Sequence, residues 1–170
     1  MNVYDFAMKM ELDGKAYYEK LAAATKVTGL RNIFLGLAED EQKHYEIFQA
    51  LKNQQTPAMG ESTALENARN VFERLVAEKA VSGSVRDDLE GYQYAMKLEA
   101  ESFRFYEEVA IHTPDLGIKQ LLSRIAGEER KHFNILQNVF AFVNAPNQFL
   151  AWAEFSNLDE FRNFGRNVDM

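Results

Sequence analysis

Two short segments carry the residues most able to do chemistry. "EDEQKH", from Glu39 to His44, and "GEERKH", from Gly127 to His132, each place a glutamate three residues before a histidine. On a helix this spacing sets the carboxylate and the imidazole on adjacent turns of one face, where both can reach a single ion. Each pair also interrupts an apolar stripe of helical period. The first stripe reads Leu30, Phe34, Leu37, Glu41, His44, Phe48, Leu51, and the second Ile118, Leu122, Ile125, Glu129, His132, Leu136, Val139. Ionisable groups where the pattern asks for leucine mark a conflict of the kind expected at a functional site. Two further stripes each contribute one acid: Ala7, Glu11, Gly14, Tyr18, Leu21, and Ala95, Glu99, Ser102, Tyr106, Val109.

If the four stripes face one another, four carboxylates and two imidazoles meet inside the protein. Burying one unpaired ion costs several kcal/mol or forces a large pKa shift, and four like charges add mutual repulsion. Two divalent cations would balance four carboxylates, with the neutral imidazoles filling further coordination positions. On this reading Glu11 and His44 are terminal ligands of one metal, and Glu99 and His132 of the other. Glu41 and Glu129 bridge, leaving coordination positions open for a reactant. No residue beyond the ligands is assigned a catalytic role. An oxygen and nitrogen donor set without sulfur suits iron or manganese, while zinc could fill the site in purified protein because raw affinity favours it. Tyr18 and Tyr106 stand two turns beyond Glu11 and Glu99 and are candidate donors to the ligating carboxylates. Asp40 and Glu128 could accept a hydrogen bond from the outer nitrogen of a ligating histidine. A lone Glu-x-x-His is weak support for a metal; two copies that both break apolar stripes are far more specific.

The elements that must position these groups come as a repeat. An offset of 88 residues carries Glu11 to Glu99, Tyr18 to Tyr106, Glu41 to Glu129 and His44 to His132, and aligns "YDFAMKMELDGKAYYEKLAAAT" with "YQYAMKLEAESFRFYEEVAIHT" without gaps. Each half reads as a helical hairpin, with helices over about 3–24 and 29–53, then 85–112 and 114–143. Thr113 is the expected N-cap of the last helix, with Pro114 at its first position. The expected fold is all-α: a ferritin-like four-helix bundle of two repeated hairpins, spanning residues 1–143. A long crossover over 54–84 joins repeats 1–53 and 85–143. A short helical tail, 144–170, packs on the bundle or on a second subunit.

Composition agrees. The chain of 170 residues is 46% hydrophobic and 26% charged, as in an ordinary globular protein. A net charge of −7 argues against nucleic acid as a partner. The absence of cysteine excludes disulfides, thiolate metal sites and iron–sulfur centres. No apolar run approaches membrane-spanning length and the start lacks signal-peptide order, so a cytoplasmic location is expected. Glu39, Glu46, Glu101, Glu107 and Glu108 read as solvated helix faces, and His112 as a surface residue.

Glu11 with Tyr18, "EQKH", Glu99 with Tyr106, and "ERKH" together resemble the rubrerythrin-like branch of the ferritin-like superfamily, over nearly the whole chain. The resemblance implies a non-haem di-iron site whose reduced form reacts with hydrogen peroxide or dioxygen, and makes a homodimer plausible. Two departures stand out. Rubrerythrins proper carry a four-cysteine rubredoxin domain, so here a separate rubredoxin-like donor would supply electrons. Peroxidase rubrerythrins also carry an extra glutamate three residues past the ligand of the third helix, where this chain has Ser102; the equivalent place on the first helix is Gly14. The alternatives are ferroxidase or iron handling without peroxide turnover, and a metal-stabilised structural or sensing bundle.

Overall fold

The computed structural model describes residues 2–54 and 89–144. They form four α-helices: α1 (Val3–Ala24), α2 (Thr28–Lys52), α3 (Leu89–His112) and α4 (Leu116–Asn144), with no strand among the described residues. The architecture is the all-α, ferritin-like four-helix bundle. Apart from Gln54 and Asn144, the expected crossover and tail lie outside the described residues. Among those residues, no helix is long and apolar enough to cross a membrane.

Local chemistry explains the helix ends. Asn2 caps α1, its side-chain oxygen accepting from the Asp5 N–H at 2.8 Å. Arg31, one turn into α2, reaches back to the carbonyls of Ala22 and Thr25, at 3.4 and 3.1 Å. It thereby satisfies carbonyls that the end of α1 leaves open and fixes the tight corner of the first hairpin. The expected cap of the last helix is corrected by the structure. Asp115, not Thr113, accepts from the third helical N–H, that of Ile118, at 2.9 Å. Thr113 instead turns back and donates to the Val109 carbonyl at 2.6 Å, closing α3. Pro114 is therefore a linker residue between two helices, and α4 begins at Leu116.

Helices α1 and α2 pack closely along their length, as do α3 and α4, while the two hairpins approach each other mainly through side chains. Those side chains form three layers. At one end, Leu30, Phe34, Leu37, Tyr92, Leu136 and Val139 make an apolar cluster, with Phe34 stacked on Tyr92. At the other, Ala7, Phe48, Tyr106, Leu122 and Ile125 make a second, with Phe48 stacked on Tyr106. Ala110 is buried in this cluster, while Val109, the expected stripe position, is only partly covered. Each large apolar side chain removed from water contributes roughly 1.5–3 kcal/mol. The polar layer between the clusters is a cost to the fold unless its charges are neutralised.

Glu39, Glu46, Glu101, Glu108 and His112 are exposed. Glu107 departs from its solvated-face reading. It accepts from Arg130 Nε at 3.0 Å, and the guanidinium lies 4.5 Å from the centre of the Phe103 ring, linking α3 to α4.

Candidate metal centre

The middle layer holds Glu11, Glu41, His44, Glu99, Glu129 and His132, none more than 4% exposed. One helix face supplies each, and the hairpin repeat places the two halves opposite one another. The donor atoms converge in two sets. Glu11, Glu41, His44 and Glu129 can each offer one ligand atom within 4.8 Å of the others, and so can Glu41, Glu99, Glu129 and His132. Glu41 and Glu129 belong to both sets, the arrangement two bridged cations require.

Each imidazole presents Nδ1 inward and Nε2 outward. His44 Nδ1 lies 2.7 Å from Glu129 and 3.4 Å from Glu11. His132 Nδ1 lies 3.1 Å from Glu41, 3.5 Å from Glu129 and 3.6 Å from Glu99. The two rings stand 5.9 Å apart, 21° from parallel. On the outer side, His44 Nε2 is 2.8 Å from Glu128 and His132 Nε2 is 3.2 Å from Asp40. An Nε2–H donating to those carboxylates leaves the Nδ1 lone pair directed at the centre. The sequence does not reveal that these contacts cross between hairpins: Asp40 of the first serves His132 of the second, and Glu128 serves His44. Lys43 holds Asp40 from the solvent side at 3.0 Å. Its three-residue spacing from Asp40 was a readable signal, but one lost among many surface charges.

The tyrosines cross in the same way. Tyr18 donates to Glu99 and Tyr106 to Glu11. Burial, followed by the charges of Glu11 and Glu129, raises the Tyr106 pKa well above the ordinary phenol range, so it stays protonated and donating. Replacing Tyr106 by Phe leaves that oxygen of Glu11 without a partner. The expected result is a loss of about 1–3 kcal/mol in metal-free stability and an affinity for Fe(II) lowered about 10–100-fold. Thermal melts and chelator competition measure the two effects.

Without a cation, burial and mutual charge shift the titration of the polar layer in opposite directions. Burial, then Glu129 and Glu11, pushes Glu41 well above the usual carboxylate range. Burial and Glu129 do the same to Glu99. For His44 burial is the largest influence and lowers the pKa, but Glu129, Glu11 and Glu128 together outweigh it and raise it well above normal. His132 follows the same logic, with burial opposed by Glu99, Asp40, Glu129 and Glu41. Glu129 goes the other way: burial raises it, yet His44 and His132 hold it well below the ordinary value. The centre is thus a store of protons around a Glu129 carboxylate that the two imidazoles hold ionised.

Protons do not satisfy every group. Glu11 Oε2, His44 Nδ1, Glu99 Oε2 and Glu129 Oε1 are buried without a hydrogen-bond partner. His44 Nδ1 and Glu129 Oε1 are close in distance, but the approach lacks hydrogen-bond direction. Unpartnered buried polar groups are rare in native proteins. Here they cluster among carboxylates and imidazoles aimed inward, a donor set that fits two divalent cations of the iron or manganese class.

The rubrerythrin family profile matches residues 2–140. The chain belongs to the rubrerythrin family. No curated protein and no solved structure matches it. Ser102, where the extra glutamate is missing, and Gly14, its equivalent on α1, have distinct surroundings. A Cβ added at Gly14 would stand 3.3 Å from Glu41 Oε2, so the Glu41 carboxylate already occupies the space that a side chain at 14 would need. Ser102 lines a cleft between α1 and α3 that reaches Glu41 and Glu99.

Proposed function

We propose that this member of the rubrerythrin family is a non-haem di-iron oxidoreductase that reduces hydrogen peroxide, or reacts with dioxygen, using electrons from a separate donor. The observation that supports this most is the convergence of inward-facing Nδ1 atoms and unpartnered carboxylate oxygens on two positions sharing Glu41 and Glu129. Glu11 and His44 would complete one position, Glu99 and His132 the other. Two ferrous ions held there would supply the electron pair that cleavage of a peroxide O–O bond consumes.

The chain's own groups account for the rest. Glu128 and Asp40 orient the imidazoles, and the phenols of Tyr106 and Tyr18 fix Glu11 and Glu99. The flanking apolar clusters limit water and keep the carboxylates from relaxing outward. Without cysteines the chain has no iron–sulfur centre of its own, so a rubredoxin-like protein is the proposed reductant. A cytoplasmic homodimer is the proposed working form.

Stopped-flow mixing of the anaerobic, Fe(II)-loaded protein with hydrogen peroxide tests the reading. The expected result is oxidation faster than that of free Fe(II), followed by repeated turnover once a reduced rubredoxin-type donor is added. Oxidation no faster than free Fe(II) removes the proposal. Ser102, in place of the extra glutamate, favours a second reading as a ferroxidase that handles iron without turning over peroxide. Storage in a closed shell requires many subunits, so a light-scattering mass near that of a dimer excludes that version of it.

A further inference from the structure

A cleft of about 260 Å³ opens between α1 and α3 and descends to Glu41 and Glu99. Its walls follow the repeat: Gly14 faces Ser102 in sequence register, and Tyr17 matches Phe105. Ser102, a small side chain, lines the cleft together with Glu41 and Glu99. The aromatic walls are held in place before anything binds. Tyr17 donates to the Gly91 carbonyl at 2.9 Å and packs edge-on against Tyr94, while Phe105 packs edge-on against Phe6. Phe6, at the mouth, is 41% exposed.

Size and charge narrow the occupant. Peroxide and dioxygen need little more space than a water, whose share of liquid volume is about 30 Å³. An apolar cavity of about 150 Å³ accepts benzene, so this one has room for two fused rings. The carboxylates of Asp13 and Glu101 are exposed beside the cleft, in a chain of net charge −7. Such a site opposes a carboxylate or phosphate and tolerates a neutral or cationic molecule. We propose that the α1–α3 cleft binds a small two-ring aromatic molecule without negative charge, held between Tyr17 and Phe105 and next to the Glu41 and Glu99 carboxylates. This goes beyond the redox reading, because binding depends on the walls and not on whether peroxide is reduced.

Titration of the full-length metal-loaded protein with indole, tryptamine and indole-3-acetate, followed by calorimetry and saturation-transfer NMR, tests it. Indole and tryptamine are expected to bind one per chain, and indole-3-acetate at least about tenfold more weakly. Ser102→Leu, which fills the deep end, and Leu98→Trp, which adds a ring from the wall, are each expected to weaken indole binding by about tenfold or more. Circular dichroism checks that both variants fold, and either one that does suffices. Absence of saturable indole binding, equal binding of the acetate, or binding unchanged in a folded variant overturns the proposal. The peroxide reaction can fail without touching this result, and the reverse is also true.

Discussion

Glu129→Ala is expected to reduce bound iron from two per chain to nearly none, whereas Glu11→Ala is expected to leave one. The difference follows from geometry. Glu129 offers oxygen atoms to both donor sets, and Glu11 to one. The folding penalty should be smaller than the metal loss suggests. Removing the ionised partner of a buried charge ordinarily costs about 3–5 kcal/mol, and His44 Nδ1 sits 2.7 Å from Glu129. Yet the Glu129 charge is one cause, after burial, of the raised pKa values of both Glu41 and Glu99. Once that charge is gone, either can ionise and face the imidazoles in its place. Elemental analysis after anaerobic loading and desalting reads the metal count, and denaturant titration of the metal-free variants reads stability. Retention of two irons by Glu129→Ala would show that this residue is not shared.

The repeat and the four stripes made the bundle and the six converging residues legible in the sequence, because both rest on local periodicity. Glu41 and His44 on α2, and Glu129 and His132 on α4, need only a helix to share a face, and each helix forms from its own residues. Contacts that depend on how two hairpins dock were not legible. The pairing of Asp40 with His132, of Glu128 with His44, and of each tyrosine with the opposite hairpin's glutamate depends on a rotation that no spacing encodes. The α1–α3 cleft is hidden for the same reason, since Gly14 and Ser102 look like missing side chains until the helices are brought together. At the α3–α4 corner, Thr-Pro is a sound start signal, but it competes with Asp115 two residues on. The stronger acceptor took the open N–H, and Thr113 closed the preceding helix instead.

Metal loading should reverse the dependence of stability on pH above neutrality. In the metal-free protein, His44 and His132 have folded pKa values raised above the ordinary 6.5, and Glu41 and Glu99 values raised above 4.5. A raised folded value gives stability that is fully present below the unfolded pKa and lost as pH rises through the folded one. Glu129, lowered, gives stability present above 4.5 and lost as pH falls through its folded value. Above pH 6.5 the histidines therefore set the slope, and the metal-free melting temperature should fall as pH rises. Cation binding replaces those protons, so its affinity grows as pH rises and proton competition fades. At free Fe(II) about a thousandfold above the dissociation constant each bound ion adds about 4 kcal/mol, or about 8–16 °C per ion for a domain of this size. Anaerobic melts at several pH values, with and without Fe(II), measure both slopes. A metal-free melting temperature that climbs from pH 6.5 to 8.5 would contradict the proton store assigned to the centre, and a loaded protein that melts no higher would contradict the cations.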